Sequence, residues 1–520
     1  MTLGLVPSEQ AVARSALLIR SLCNPSIYDH TVNDLRTIET HISWIILTGP
    51  YAYKIKKPVS LSFLDFSTLP RRKKMCREEL RLNRRLTPEL YLGLVTITGT
   101  ASNPILNGSD EIIEYAIKMV QFDTDKELDV LIKEKIDIHL IDDLALRVAD
   151  FHQNHVRICG ECEYSSPLLV SQRIKDNFVE IRPSLDPALR LKLGRLEEWV
   201  DNSCSTRRGV MDFRQRSGFV RECHGDLHLG NMVLIDGRIR LFDCLEFNEQ
   251  FRWIDVMSEI AFVVMDFDYH GQRELGYQFL NAYLSKTGDY AGLELLPLYL
   301  VYRALVRAKV ACIRNQQSVS KAGDLADVAG HIDLALTYIS FPRAQLFITH
   351  GYSGSGKSWW SERIARLLPA IHIRSDVERN RTDAESVQSE SGTHRYSSRN
   401  IARTYARLLK LAEIILSSGY SVIVDATFLQ YKNRVQFYTL ARKSGTMARI
   451  LDFQCSEEKL RARIDRRLSL GQDPSEANIK VLDEQIKYTQ PLREEELDRC
   501  IPVNTEVEVD TGMLVRRIVR

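Results

Sequence analysis

The chain has 520 residues, too many for one ordinary core and enough for two to four domains. Hydrophobic residues at 44% and charged residues at 27% are the balance of a globular protein. Seventy basic against 68 acidic side chains leave a formal charge of +2, which excludes a general polyanion-coating role while leaving room for a local basic groove.

The N-terminal stretch MTLGLVPSEQAVARSALLIRSL has no basic segment ahead of an apolar core and reads poorly as a signal peptide. Residues from about 40 to 122 alternate β-rich runs with one charged helix. HISWIILTG and YAYKIKKPV are strand-like around the turn TGP, RRKKMCREELRLNRRL is helical, and EIIEYAIKMVQF returns to strand. Residues 123–340 are mainly helical. In IDDLALRVADFHQNH, Leu144, Leu146, Val148 and Phe151 supply the apolar positions of a helix that ends at His152 and His155. These histidines and the pair Cys159 and Cys162 have a zinc-like spacing, but a helix end followed by a loop accounts for them. The other cysteines are scattered singly, so reduced thiols are expected. The most apolar long run, LELLPLYLVYRALVRAKVACI, is broken by Glu294, Pro297, Arg303 and Arg307, so no membrane partner is expected and the location expected is cytoplasmic. The acidic pieces LEFNE and DFDYHG read as solvated loops.

One hairpin interrupts the helices. NMVLI and RIRLF alternate either side of Asp236-Gly237, a strong two-residue turn. Counting outward, Asn231 and Asp243 arrive within about one residue of facing each other. Asp226 precedes Asn231 with D-x4-N spacing beside a glycine bend. Phosphoryl transfer needs this set: a carboxylate to orient the attacking hydroxyl, and an amide oxygen with a second carboxylate to hold Mg²⁺.

HGDLHLGN…LFD resembles the catalytic and metal-binding segments of the aminoglycoside phosphotransferase family, which has a protein-kinase-like fold. The resemblance implies Asp226 as catalytic base and Asn231 and Asp243 as magnesium ligands, with His224 and His228 organising the loop. Cys244-Leu245 follows Asp243, so no D-F-G-type flip is implied. YAYKIKK is similar to the strand that carries the phosphate-binding lysine. Lys54 and Lys56 would share a strand face and both are candidates, with Lys54 preferred on the A-x-K pattern. Glu79, or else Glu78, would orient that lysine, and residues 117–122, including Met119, would form the adenine hinge. TGPY stands where the family of protein kinases has a Gly-rich loop, so a weak phosphate clamp is expected.

After YISFPRAQ the pattern changes, and Pro342 marks a boundary. GYSGSGKS fits G-x4-G-K-[ST], directly after the apolar strand LFITH and before the helix WWSERIARLL. Gly351, Ser353, Gly354, Ser355 and Gly356 would bring backbone N–H groups to the phosphates, Lys357 would reach the terminal ones, and Ser358 would offer its hydroxyl to Mg²⁺. Strands and helices then alternate, which predicts a parallel sheet. Strand PAIHIRSD ends in Asp376, followed by Arg379, and strand SVIVDAT ends in Asp425 with Thr427 beyond it. Parallel strand ends gather at the nucleotide crevice. A carboxylate there could accept a proton from an attacking hydroxyl, and Arg379 could hold a phosphate. Arg463 and Arg467 lie one turn apart on one helix face, beside Arg466, as candidate lid arginines.

This half resembles the P-loop kinases typified by polynucleotide kinase and zeta-toxin kinases. The whole chain resembles the bacterial bifunctional aminoglycoside phosphotransferase/ATP-binding family over roughly residues 25–510. The expected architecture is an α+β protein-kinase-like two-lobed domain followed by an α/β P-loop domain with a parallel sheet. Its expected parts are an N-terminal lobe (1–122), a helical lobe with the catalytic hairpin (123–340) and the P-loop domain (341–520). The expected activity is transfer of phosphate from ATP, with Mg²⁺, to a hydroxyl on a small-molecule acceptor. The alternative is a nucleotide sensor or scaffold in which only the P-loop half is catalytic. Nucleic acid, as in a 5′-hydroxyl polynucleotide kinase, is a less favoured acceptor because the net charge gives it no help.

Overall fold

The computed structural model describes residues 9–61, 64–134, 136–154, 163–317, 322–340, 343–385, 398–470, 477–507 and 510–519. Two compact units divide the chain. The first holds residues 1–144, 150–179 and 201–266, and the second holds 145–149, 180–200 and 267–520. The helices after Phe267 therefore group with the P-loop region.

The first unit is built on a six-stranded antiparallel sheet. Its order is Arg36–Glu39, Ser43–Leu47, Tyr51–Lys56, Ile112–Val120, Tyr91–Thr100 and Asn103–Leu106. The pleat sends Tyr53 and Ile55 to one face, where Leu18, Ile19 and Leu22 of the helix Glu9–Leu22 cover them. Ala52 faces the other way, into a cluster with Cys76 and Leu80 of the helix Leu69–Asn83, together with Tyr91, Ile117, Met119 and Val233. The hairpin Met232–Ile235/Arg238–Leu241 pairs as its turn residues dictate, Ile235 against Arg238 and Met232 against Leu241. Asp236 (φ 50°) and Gly237 (φ 70°) both adopt the left-handed conformation such a turn requires.

The second unit contains a five-stranded sheet, all parallel, ordered Ala370–Arg374, Ser421–Asp425, Leu346–His350, Ala448–Gln454 and Cys500–Asn504. The strand that precedes the P-loop is central and buried, which explains the apolar run Leu346–Ile348. The helix Lys357–Leu367 packs on the sheet through Trp360, Ile364 and Ala365. Three further helices, Arg273–Thr287, Leu296–Gln317 and Ala322–Tyr338, belong to this unit. No helix among the described residues is long and apolar enough to cross a membrane.

Candidate active sites

In the first unit both candidate lysines are engaged. Lys54 Nζ donates to Glu79 Oε1 at 2.8 Å, and Lys56 Nζ donates to Glu79 Oε2 at 2.6 Å. Lys54 also bonds Asp243, and Lys56 bonds Glu246. Two lysines two residues apart thus straddle one buried carboxylate, and only Lys54 reaches Asp243. Glu78 is turned elsewhere, toward Arg81 and Arg252. Burial alone would make Glu79 hard to ionise, but the two lysines bring its pKa down to about 2. Burial opposes the charge on Lys54, yet Asp243 and Glu79 overcome it and hold the lysine pKa well above its usual value.

The loop that carries Asp226 is fixed from below. Gly225 has φ 89°, and a Cβ there would sit 2.9 Å from the Phe251 carbonyl oxygen. Asn231 Nδ2 donates to the Asp226 carbonyl at 2.9 Å and to Asp226 Oδ2 at 3.2 Å, leaving the Asn231 Oδ1 as the atom to offer a cation. His228 Nε2 lies 3.5 Å from Asp226 Oδ2, and its Nδ1 accepts from the Gly230 N–H at 3.1 Å. The buried His224 reaches the Phe242 carbonyl through Nε2 at 2.8 Å, and burial lowers its pKa. The Phe242 N–H donates to the Asn231 carbonyl at 3.0 Å, so Asp243 comes one residue beyond direct register with Asn231. Asp243 itself has φ 62°, and its N–H donates to Tyr91 Oη at 3.0 Å. Asp226 and Asn231 thus form one bonded pair, with His228 beside Asp226, and Lys54, Glu79 and Asp243 form a second bonded group; the Phe242–Asn231 backbone bond brings Asp243 to the end of the hairpin that carries Asn231.

One feature differs from expectation here. The acidic pieces read as solvated are buried at their key residues: Glu246 pairs with Lys56, and Asp266 accepts the Leu229 N–H at 2.8 Å. Met119 is still within its strand and packs into the core cluster with Ala52 and Val233. The turn TGPY is a tight link whose Thr48 and Gly49 N–H groups both donate to Gln121 Oε1, at 3.1 and 3.0 Å.

Sequence reasoning missed Glu259. It is fully buried and accepts from Gly225 N–H at 2.7 Å, from His224 N–H at 3.2 Å and contacts His152 Nε2 at 2.8 Å. Burial would raise its pKa, but these partners hold it at about 2. A signal was available: VMSEIAFVVMDF is otherwise almost wholly apolar, and an acid inside a buried run needs partners. His152 lies in the last turn of its helix, Ile138–Asn154, as expected, and its ring bonds Glu259. His155, Cys159 and Cys162 lie outside the described residues.

In the second unit a cavity of about 430 Å³ opens at the P-loop, lined by Lys357, Ser358, Asp376, Arg379, Asp425 and Thr427 among others. Gly351 has φ 143°, and a Cβ there would meet the Phe453 carbonyl at 2.7 Å. Its N–H donates to the Thr427 carbonyl at 3.2 Å, which ties the loop to the neighbouring strand end. Ser353 is held by Gln485, which accepts from its N–H at 2.9 Å. Lys357 Nζ donates to the Tyr352 carbonyl at 2.6 Å and lies 3.5 Å from Ser355 Oγ. Burial pushes the Lys357 pKa down to about 8, with Asp425 and Asp376 opposing and Arg467 reinforcing. Burial would raise Asp425, but His372, Arg374 and Lys357 hold it at about 2.

Asp376 differs from its expected place. The strand stops at Arg374, and Asp376 sits in the first turn of the helix Ser375–Glu385, where a carboxylate complements the helix N-terminus. Arg379 Nη1 bonds its Oδ1 at 3.1 Å, as the D-x-x-R spacing requires. The candidate lid arginines are anchored. Arg463 bonds Thr505 Oγ1 at 3.0 Å and the Thr505 carbonyl at 2.7 Å, with the Gly354 carbonyl at 3.4 Å. Arg467 donates to the Ala477 carbonyl at 2.6 Å. Both nonetheless line the cavity.

Two family models match in the same order as these sites. The "Phosphotransferase enzyme family" matches residues 71–296, and "AAA domain" matches residues 346–492. Uncharacterised proteins of Mycobacterium tuberculosis and Mycobacterium bovis are each 32% identical over 436 residues, which is 83% of this chain and 85% of theirs. The chain belongs to the family that fuses an aminoglycoside-phosphotransferase-like domain to a P-loop kinase domain. This fused family is one of phosphotransferase enzymes. Among solved structures, a choline kinase from Cryptosporidium parvum is 11% identical, covering 63% of this chain and 95% of its own (TM-score 0.41). A gluconokinase from Sinorhizobium meliloti is 21% identical, covering 34% of this chain and 89% of its own (TM-score 0.25).

Proposed function

We propose that the chain is a double phosphotransferase, with one Mg-ATP site in each unit and a small-molecule hydroxyl as acceptor. The observation that carries this is a lysine that shares its site with carboxylates from separate segments, bonded to them in the first unit and lining one cavity with them in the second. In the first, Lys54 joins Glu79 to Asp243, beside Asn231 and Asp226. In the second, Lys357 lies in the field of Asp376 and Asp425 on the cavity wall.

The donor sets fit magnesium. Asn231 and Asp243 offer hard oxygens, as do Ser358 and the Asp425 Oδ2, a buried atom with no hydrogen bond from any described residue. Bound Mg²⁺ would neutralise charge on the β- and γ-phosphates. In the first unit Asp226 accepts the acceptor's hydroxyl proton, held in place by Asn231 Nδ2 and flanked by His228. Lys54, fixed by Glu79, meets the phosphates, and the Ala52, Met119 and Val233 side chains supply an apolar wall for adenine. In the second unit Asp376 takes the corresponding proton. Arg379, bonded to that carboxylate, adds positive charge toward the transferring group, and Arg463 and Arg467 line the same cavity. Thr427 contributes its carbonyl to the loop's shape.

A second reading has its own support. The Thr48 and Gly49 N–H groups, which would cover phosphates from above, are already bonded to Gln121. The first unit would then bind nucleotide without rapid turnover. One experiment separates the readings: Mg-ATP stoichiometry and consumption in wild type, Asp226→Ala and Lys357→Ala. The panel of acceptors is sugars, aminoglycosides, nucleosides and 5′-hydroxyl oligonucleotides. A double enzyme binds two nucleotides and loses separate acceptor-dependent turnovers, each by about 10²–10⁴-fold. One nucleotide, lost only in Lys357→Ala, leaves the P-loop as the sole catalytic site.

A further inference from the structure

The edge strand of the parallel sheet, Ala370–Arg374, is covered by a side chain. Asn281 Nδ2 donates to the Ala370 carbonyl at 3.0 Å, and Asn281 Oδ1 accepts from the His372 N–H at 2.8 Å. The amide thereby imitates the next strand, satisfying two backbone groups that an edge would otherwise expose. The strand's other side pairs with Ser421–Asp425, with His372 opposite Ile423 and Arg374 opposite Asp425. The His372 ring reaches across to the neighbouring strand, with Nε2 3.4 Å from Asp425 Oδ2. That separation is long for a hydrogen bond, and both atoms are buried without one from any described residue.

The helix that carries Asn281, Arg273–Thr287, makes two more such ties. Gln278 Nε2 donates to Glu362 Oε1 on the P-loop helix at 3.2 Å. Arg381, on the helix that carries Asp376 and Arg379, donates to the Lys286 carbonyl at 3.3 Å and to the Ser285 carbonyl. These carbonyls lie at the C-terminal end of Arg273–Thr287, where a cation is favoured. One helix therefore contacts the P-loop helix, the strand behind Asp425 and the helix of Asp376. Its residues fall within the segment matched by the phosphotransferase family, outside the segment matched by the AAA domain.

We propose that Asn281 is a positioning residue of the P-loop site: it sets the register of His372 and, through that ring, the orientation of Asp425. Asn281 touches neither nucleotide nor acceptor. It holds a strand whose displacement would move the His372 ring away from Asp425 Oδ2. A ligand carboxylate released from its neighbour loses its preorganised direction, and such supporting contacts are typically worth 10–100-fold in metal affinity or activity. The P-loop domain would then depend on a helix from the phosphotransferase segment, which gives a physical reason for the fusion.

The inference rests on the second unit binding Mg-ATP, and the test keeps the two apart. In the full chain, ATP binding is titrated against Mg²⁺, and the part abolished by Lys357→Ala is assigned to the P-loop. If wild type shows no such part, the proposed function of that unit fails. If it does, Asn281→Ala and His372→Gln should each raise the Mg²⁺ needed for half-saturation about tenfold. The double variant should be no worse than the poorer single, because both act through one contact. Asn281→Asp keeps the acceptor for the His372 N–H and should fall between wild type and Asn281→Ala, which covers the case in which alanine does not fold. An unchanged Mg²⁺ requirement, or additive losses in the double variant, would overturn the proposal. So would a lowered melting temperature with the Mg²⁺ requirement intact, since that marks a scaffold role only.

Discussion

The two sites handle their charges in opposite ways. In the first unit Lys54, Lys56, Glu79, Asp243 and Glu246 are bonded to one another, so the site is ordered by its own ion pairs. In the second, Asp425 Oδ2 and His372 Nε2 are buried without hydrogen bonds from the described residues, and burial weakens the Lys357 charge. A self-paired site keeps its shape without ligand and must exchange contacts to admit one. A site whose buried groups lack hydrogen bonds is less favourable when empty and gains more from the ligand. The difference follows from construction: side chains from distant segments make the first, whereas glycine-dependent backbone makes the second.

The largest expected effect breaks the first half of that contrast. Glu79→Ala leaves two buried ammonium groups without their shared partner, and should cost the first unit about 3–5 kcal/mol with no nucleotide present. Denaturant unfolding measures it; an unchanged midpoint would mean that the ion pairs do not order this site.

A smaller effect sharpens the second half. The Lys357 pKa, near 8 in the fold, lies below its ordinary 10.5. The unfolded chain therefore binds more protons between those values, and the stability of the free second unit rises with pH across that window. Nucleotide phosphates reverse this by favouring the charged lysine. Binding should take up a proton near pH 8, and affinity should fall up to about tenfold per pH unit above it. Calorimetric titration in two buffers of different ionisation enthalpy reads the proton directly. Lys357→Met should abolish the buffer dependence.

The smallest effect concerns the turn. Gln121→Ala releases the Thr48 and Gly49 N–H groups at a cost of about 1 kcal/mol in stability. The freed donors should tighten nucleotide binding to the first unit by a few-fold. Equal or weaker binding, measured in the Lys357→Ala background, would show that this turn never approaches phosphate.

What the sequence made legible is what is local. The hairpin turn, the P-loop between strand and helix, and the D-x4-N and D-x-x-R spacings each depend on residues close along the chain. Lys54 and Lys56 could not be separated, because strand alternation puts both on one face; only the distant Asp243 and Glu246 tell them apart. Asp376 was placed on a strand end instead of a helix start, since boundaries shift by a residue or two without changing the pattern. Arg463 reads as a lid arginine because Thr505, its anchor, comes only just after the last strand of the sheet. Glu259 and Asn281 act on backbone groups far away in sequence, and no local spacing announces that.

The P-loop strand has a further consequence, for the order in which the chain is made. Leu346 pairs with Val422 on one side and Ala448 on the other, so neither neighbour exists when GYSGSGKS leaves the ribosome. The hairpin at Asp236-Gly237 can close as soon as it emerges, whereas the cavity at the P-loop must wait for residues as late as Tyr488. A chain stalled or cut before Ala448 would carry an intact signature motif and no site, with the apolar edge of Leu346–His350 open to other chains.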